Sequence, residues 1–252
     1  EQEMQSIFFK IISAFLWLWF FISSVILTPF LIIIWLVTKP FDKRLRILHL
    51  FSCFWGAQYI WVNPFWNLKI RNRKKFDSSK AQIVVSNHQS LVDIILLYSL
   101  FKHFKWTSKQ ENFRLPFVGW VLSLNESIRI YRNEPDAYEK FRNQALHALK
   151  NGNSILIFPE GTRSKNTRIR RFKEGAFRIA HETGKDILPI VLNGTGKAIP
   201  KKGWSLKGKQ YLVCEILDPV PYESFKNNTP AETAELIRLI IDEALIGLKK
   251  MS

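Results

Sequence analysis

A histidine and an aspartate lie five residues apart in the segment NHQSLVD, as His88 and Asp93. The segment follows a short β-branched run at residues 83–85, and a histidine oriented by a carboxylate can act as a base. On one helix a spacing of five would turn the two side chains apart, so His88 must precede the helix and fold back over its first turn. The alternative is structural, because Ser90 and Asp93 also have the spacing of a helix capping box.

A second segment, FPEGTRS at residues 158–164, also follows an apolar run, residues 155–157. Gly161 would let the backbone approach a ligand closely, and the Arg163 guanidinium has a donor geometry that suits phosphate. Thr162 adds a hydroxyl, and Glu160 would accept from a substrate hydroxyl or fix Arg163. The alternative is an ordinary turn with a surface salt bridge.

Taken together, the two segments predict an enzyme that removes a proton from a hydroxyl while it holds a phosphate. Both would lie at strand ends, where α/β sheets bind their ligands. A basic run follows the second segment, with no acidic residue before Glu174; its members are Lys165, Arg168, Arg170, Arg171 and Lys173. This run either attracts an anionic headgroup or is simply a solvated face, and the sequence leaves both interpretations open.

The N-terminal part of the chain predicts a membrane segment. Residues 11–38 are 28 consecutive positions without a charged side chain, and about 20 helical residues cross the hydrocarbon core of a bilayer. A signal peptide has an apolar core of only about 7–15 residues, so the segment is too long for one. Pro29 lies near its middle and predicts a break or a kink.

A second apolar stretch, residues 45–66, is rich in tryptophan and tyrosine, which suit a membrane interface. We therefore expect residues 1–66 to form a two-helix membrane module that either spans the bilayer or lies in one leaflet. Alternatively, the second helix belongs to the core of the domain that follows. Four basic residues follow the first segment, namely Lys39, Lys43, Arg44 and Arg46. They predict that the rest of the chain faces the cytoplasm, and in a bacterium the membrane would be the inner one.

Residues 67–252 predict an α/β domain, because strand-like and helix-like segments alternate along them. The expected architecture is a mixed, largely buried sheet flanked by helices, preceded by the two-helix module. The predicted strands are residues 66–70, 83–85, 104–107, 154–158, 187–192 and 211–217, and the predicted helices are residues 91–101, 136–150, 172–183 and 230–248.

The net charge of +16, with a sequence pI near 9.9, indicates an anionic partner. A nucleic-acid reader has no use for a long apolar segment, so membrane lipids are the favoured partner and nucleic acid is not expected. A non-catalytic basic protein that binds membranes or nucleic acid is the competing class, but it makes no use of His88 or Asp93. Cys53 and Cys214 are expected to be buried free thiols.

The remaining histidines have no acidic residue at a useful spacing in a strand-end loop, and we expect them to be structural or on the surface; they are His49, His103, His147 and His181.

The two segments resemble the NHxxxxD and FPEGTRS motifs of the glycerophospholipid acyltransferases, in particular those that acylate lysophosphatidic acid. Further blocks resemble the family's other motifs in the same order, namely LPFVGW, SIRIYR, RFKEGAFRIA and LPIVL. The similar blocks cover roughly residues 80–195.

The resemblance implies transfer of a fatty acyl group from acyl-CoA or acyl carrier protein to the sn-2 hydroxyl of lysophosphatidic acid, giving phosphatidic acid. Within the same fold, glycerol 3-phosphate, another lysophospholipid or an aminolipid are alternative acceptors. His88 would be the base and Asp93 its orienting residue. Neither a metal nor a resident cofactor is implied. The implied acceptor-binding residues are Glu160, Gly161, Thr162, Arg163, Arg132, Lys109 and Lys173.

One departure concerns the second motif, where the family often has glycine pairs and this chain has Leu-Asn-Glu-Ser at residues 124–127. Glu126 is therefore expected to bring a negative charge near the phosphate site, which leaves a neutral or zwitterionic lysolipid open as the acceptor.

Overall fold

The computed structural model describes residues 2–132, 134–163, 168–199, 206 and 208–250, with side chains from residue 7 onward. Its strands are Trp66–Arg71 (β1), Ile83–Ser86 (β2), Lys105–Lys109 (β3), Ile128–Ile130 (β4), Ile155–Ile157 (β5), Ile187–Asn193 (β6) and Gln210–Ile216 (β7). Its α-helices are Gln2–Thr38 (α1), Arg46–Trp61 (α2), Val92–Tyr98 (α3), Val118–Leu124 (α4), Ala137–Lys150 (α5), Gly175–Thr183 (α6), Thr195–Ala198 (α7), Tyr222–Phe225 (α8) and Pro230–Lys250 (α9).

The strands form one sheet in the order β1-β7-β6-β2-β5-β3-β4. Neighbouring strands are parallel except for β6 and β7, which are antiparallel, so the predicted mixed sheet is confirmed. Strands β2 and β5 are direct neighbours, with Val85 opposite Ile157. The two motifs therefore leave the sheet side by side, at the same edge.

Helices cover both faces of the sheet, which explains why β2 and β5 are buried at every position. On one face α5, α6 and α9 pack through residues such as Phe141, Phe177 and Ile241. On the other face α2 and α3 pack through residues such as Cys53 and Leu96. This arrangement is the α/β sandwich that the alternating pattern predicts.

Helix α1 runs without interruption through Pro29, so the predicted break is wrong, and a kink stays a prediction. A proline removes one backbone donor from a helix, and neighbouring helices and local hydroxyl groups can make up for that loss. Here Leu27 and Leu31, which lie on either side of the proline, pack into a cluster with Leu48 and Trp55 of α2, and Leu31 is fully buried. Packing on both sides of the proline therefore keeps the helix continuous.

Helix α2 lies between α1 and α3 and contacts both. Its residues Cys53 and Ile60 belong to the core on that face of the sheet, as the second interpretation of this helix expects. The loop before α2 is also attached to the α/β domain, because Arg44 donates to the Gly152 carbonyl and to Asn153 Oδ1. A division of the chain at residue 66 stays a prediction.

Candidate active site

The His88 ring is held from two sides at the end of β2. Its Nδ1 lies 2.8 Å from Asp93 Oδ2, and its face stacks on Phe158 at a centroid distance of 4.1 Å. His88 precedes α3 and Asp93 lies in its first turn, so the ring does fold back over the helix start. Its side chain is 16% exposed, which leaves it accessible to a small reacting group.

Asp93 is fully buried, and it bonds both the His88 ring and backbone N–H groups just before α3. Its Oδ2 accepts the backbone N–H groups of Gln89 at 2.6 Å and Ser90 at 2.8 Å, as well as the imidazole. Because Asp93 Oδ2 acts as an acceptor toward the two backbone N–H groups, it also acts as an acceptor toward the imidazole. We therefore infer that His88 Nδ1 carries the proton of this bond. The lone pair of Nε2 is then the basic one.

Glu160 joins the two motifs through backbone atoms. Its Oε1 accepts the His88 N–H at 2.8 Å, and its Oε2 accepts the Arg170 N–H at 3.1 Å. The carboxylate is buried, at 5% exposure. These bonds tie the His88 loop to the loop after β5. The two roles that the sequence suggested for Glu160, accepting from a substrate hydroxyl or fixing Arg163, stay predictions.

Gly161 is the centre of a cluster of positive charges, and its φ of +69° is a conformation that favours glycine. Arg132 donates to its carbonyl oxygen. A β-carbon at Gly161 would lie 3.3 Å from Lys173 Nζ, so that amine sits directly above the loop. The described part of this loop ends at Arg163, because Ser164 and Lys165 lie outside the described residues.

Lys109 and Arg163 complete the cluster of cations. Burial, followed by the charge of Arg132 and more weakly that of Arg163, lowers the pKa of Lys109, while Glu111 opposes the shift. Cations this close repel one another, so a bound anion would stabilise the group. The structure thus brings together Lys109, Arg132, Arg163 and Lys173, the four cations that the sequence proposed for the acceptor.

The Thr162 side chain contacts a residue of the basic run that follows it. Its hydroxyl oxygen lies 3.0 Å from Arg170 Nη1, which donates to it. Residues 172–174, predicted as the first turn of α6, instead run beside the loop, and the Lys173 N–H bonds the Pro159 carbonyl at 2.9 Å. That bond explains why α6 begins only at Gly175.

Glu126 lies at the opposite end of the strands from this cluster, so the prediction of a negative charge near the phosphate site is wrong. Strands β3 and β4 are parallel, with Lys109 opposite Ile130 at their ends, and Glu126 precedes the start of β4. There it lies 3.9 Å from Lys105 Nζ, at the beginning of β3. The departure from the family pattern therefore does not affect the cation cluster.

The donors next to His88 that could stabilise a developing oxyanion, the Asn87 side chain and the loop backbone, are already engaged. The Asn87 side chain exchanges two hydrogen bonds with the Leu192 backbone, at 2.9 and 2.8 Å. The backbone N–H groups of His88, Gln89 and Ser90 donate to Glu160 and Asp93. Both sets of atoms therefore fix the loop.

Comparisons with known proteins match this chain to one family. The model of the family described as Acyltransferase matches residues 67–193, which include both motifs and the cation cluster. The chloroplastic 1-acyl-sn-glycerol-3-phosphate acyltransferase LPAT1 of Arabidopsis thaliana is 36% identical over 189 residues, 73% of this chain and 52% of that protein. The 1-acyl-sn-glycerol-3-phosphate acyltransferase of Pseudomonas aeruginosa is 30% identical over 81% of this chain and 76% of that protein.

The chain belongs to the acyltransferase family.

A solved member of the acyltransferase family has the same fold. The crystal structure of the 1-acyl-sn-glycerophosphate (LPA) acyltransferase PlsC from Thermotoga maritima aligns with a TM-score of 0.80 and 25% identity, covering 96% of this chain and 98% of that one. The chain spans about half the length of the chloroplastic relatives, 52% for the Arabidopsis protein and 46% for that of Brassica napus.

Phe158 and Arg170 contact residues of the candidate site, and the sequence predicted no individual role for either. Phe158 follows Ile157, which is opposite Val85, so a correct pairing of β2 with β5 would have placed it beside the histidine loop. Arg170 was visible only as one member of a basic run. Among the described residues, no group of three or more His, Cys, Asp or Glu side chains could hold a metal ion, and the metal-free reaction stays a prediction.

Proposed function

We propose that this protein transfers a fatty acyl group from a thioester to the sn-2 hydroxyl of 1-acyl-sn-glycerol 3-phosphate, giving phosphatidic acid. The observation that carries the proposal is the His88–Asp93 pair at 2.8 Å, joined through Glu160 to a cluster of cations around Gly161. A base next to an anion site is what a phosphate-bearing alcohol requires. The names of the relatives support the same acceptor.

In the proposed reaction His88 Nε2 takes the proton of the hydroxyl as its oxygen attacks the thioester carbon. Asp93 stabilises the imidazolium that forms and keeps the ring oriented. The carbon–sulfur bond then breaks, and the departing thiolate takes the proton from Nε2. The thioester is already an activated acyl donor, so we expect neither a metal nor a resident cofactor; acyl-CoA or acyl carrier protein is the co-substrate.

Acceptor binding is assigned to the cation cluster. Arg132 and Arg163 can present planar pairs of donors to a phosphate, and Lys109 and Lys173 add point charges. A phosphomonoester carries up to two negative charges, so it gains more from this cluster than a zwitterionic headgroup does. That difference favours lysophosphatidic acid over the other acceptors.

We also propose that the protein is attached to a membrane through α1, with the site on the cytoplasmic face. Residues Ile7–Thr38 form the one helix in the described part of the chain that is long and apolar enough to cross a bilayer. Contacts of α1 with the rest of the protein extend from Phe9, which meets Phe65, to Leu31, which packs on α2. A helix held along its length by the rest of the protein favours burial in one leaflet over a perpendicular span.

The test is an assay of purified protein with acyl-CoA and lysophosphatidic acid, following free thiol and phosphatidic acid. We expect His88→Ala to lower turnover about 10²–10⁴-fold, because a positioned base contributes that much, while the protein still folds. His147→Ala is the matched control, since His147 is on the exposed side of α5, 3.0 Å from Asn151. Turnover of His88→Ala close to that of the wild type would refute the base.

The same assay separates the alternatives. Glycerol 3-phosphate, lysophosphatidylcholine and an aminolipid are offered as competing acceptors, and the preferred one identifies the substrate. Absence of thiol release with every acceptor, together with tight binding to anionic liposomes or RNA, would support the non-catalytic class.

A further inference from the structure

An exposed apolar segment lies between the cation cluster and α1. Lys109 is followed by the short 3-10 helix Gln110–Arg114 and then by residues 115–120, which we call the lip. Leu115 is 49% exposed, Val118 40% and Trp120 49%. Neighbouring apolar side chains left in water are unfavourable, and such patches mark surfaces that have a partner.

The lip continues the apolar surface of α1. The Phe117 ring meets the Phe21 ring edge-on at a centroid distance of 6.1 Å, and Trp120 lies 5.3 Å from Phe117. Phe21 is itself 57% exposed, and so are its apolar neighbours Leu18, at 56%, and Val25, at 47%. Whatever covers this face of α1 therefore reaches the lip as well.

The backbone holds the lip in a conformation that it would not adopt by itself. Phe117 has a φ of +59°, which is unfavourable for a residue with a side chain. A β-carbon at Gly119 would lie 2.3 Å from the Phe113 carbonyl oxygen, so only glycine fits this turn. The surrounding contacts thus fix a strained loop that presents apolar groups outward, a combination found more often at functional sites than in plain connections.

We propose that the lip inserts into the surface of a lipid bilayer beside α1 and that the membrane-borne acceptor passes along it to Lys109. The inference rests on the proposed function for the identity of the acceptor, but the contact with the bilayer can be tested without it. Trp120 suits the interface between headgroups and acyl chains, and Arg114, directly before the lip, suits anionic headgroups. The phosphate would meet the cations as its acyl chain follows the apolar side chains.

The bilayer contact is tested with single cysteine variants that carry an environment-sensitive fluorophore. Both native cysteines are fully buried and burial raises the pKa of their thiols, so a new surface cysteine is labelled selectively. We expect Leu115→Cys to give a blue-shifted, brighter emission with vesicles of phosphatidylglycerol and phosphatidylcholine. Ile26→Cys on α1 is the positive reference, and Leu239→Cys, equally exposed on α9 across the sheet, is the negative one.

Insertion of the lip would be refuted if vesicles changed the emission of the Ile26→Cys label but not that of the Leu115→Cys label. It would also be refuted if the emission of neither label changed. A shift that appears without vesicles and grows with protein concentration would also overturn it, because a second copy of the chain would then cover the segment.

Passage of the acceptor is tested by activity. We expect Leu115→Glu to lower turnover of long-chain lysophosphatidic acid in vesicles about tenfold or more, since a leucine would leave an apolar environment. A short-chain, monomeric lysophosphatidic acid should be turned over within about twofold of wild type, and Leu239→Glu should change neither rate. Equal losses on both acceptors would overturn passage along the lip, whereas wild-type protein inactive on both acceptors would overturn the proposed function instead.

Discussion

Replacement of Glu160 by glutamine tests whether this residue positions the site or contacts the substrate. The carboxylate accepts the backbone N–H groups of His88 and Arg170, at 2.8 and 3.1 Å. Glutamine keeps the shape of the side chain but turns one of the two oxygens into an amide nitrogen, which cannot accept. One of the two N–H groups therefore loses its acceptor, and the charge that strengthened the other bond is lost.

The size of the effect follows from burial. Glu160 is 5% exposed, and a buried donor without an acceptor costs about 1–3 kcal/mol. For a protein of this length, each kcal/mol lowers the unfolding temperature by about 2–4 °C, so we expect a loss of about 2–12 °C. A displacement of the His88 backbone by about 1 Å would lower kcat about 10²-fold.

Thermal unfolding in detergent and the kinetics of acyl transfer measure the two effects on the same preparation. Glu235→Gln is the control, because Glu235 pairs with Arg238 on the exposed side of α9. If Glu160 contacted the acceptor only, Glu160→Gln would unfold at the wild-type temperature and raise KM for the acceptor with little change in kcat. That result would refute the positioning role.

Three further predictions concern charge. Arg132→Ala should raise KM for the acceptor about tenfold or more, because a charge-assisted bond to phosphate is lost, while Arg142→Ala, which breaks a surface pair with Glu182, should leave the kinetics unchanged. Burial and the charge of Arg132 lower the pKa of Lys109, so Lys109 loses its charge at a lower pH than usual. As the pH rises, the affinity for the acceptor should therefore fall at a lower pH in the wild type than in Lys109→Arg, and KM measured across alkaline pH tests this. Burial lowers the pKa of Lys105 to about 8. Above that pH the unfolded chain binds more protons than the folded one, so the free energy of unfolding should rise with pH up to about 10.5, and denaturant titrations of Lys105→Met should lack that rise.

The pairing of His88 with Asp93 could be predicted because spacing and helix geometry allow few solutions. A histidine just before a helix and an aspartate in the first turn can meet, whereas both on the helix cannot. The alternation of strands and helices likewise predicts the sandwich. These inferences depend on local geometry, which a sequence contains.

The features that the sequence did not predict depend on how strands pair and on which of several possible partners a side chain contacts. Glu126 was expected near the phosphate because it is close to Arg132 along the chain, but the parallel pairing of β3 and β4 puts it at the other end of the strands, beside Lys105. One expected outcome at Pro29 was a break in α1, and packing against α2 keeps the helix continuous instead. In both cases contacts between distant segments override a local rule.

If the proposed function holds, the position of Glu160 implies how the site would select its acceptor. Glu160 directly precedes Gly161, whose carbonyl is bound by Arg132, and its carboxylate bonds the backbone of His88. The adjacent strands β2 and β5 fix the ends of both loops, so the base and the cations cannot move apart independently. A fixed distance between base and phosphate selects acceptors by the number of bonds between the phosphate and the free hydroxyl. In 1-acyl-sn-glycerol 3-phosphate these groups are on adjacent carbons, whereas a free sn-1 hydroxyl would be one carbon farther away. On this argument regioselectivity comes from the rigidity of the sheet, and the acyl chain of the acceptor need not be recognised for it.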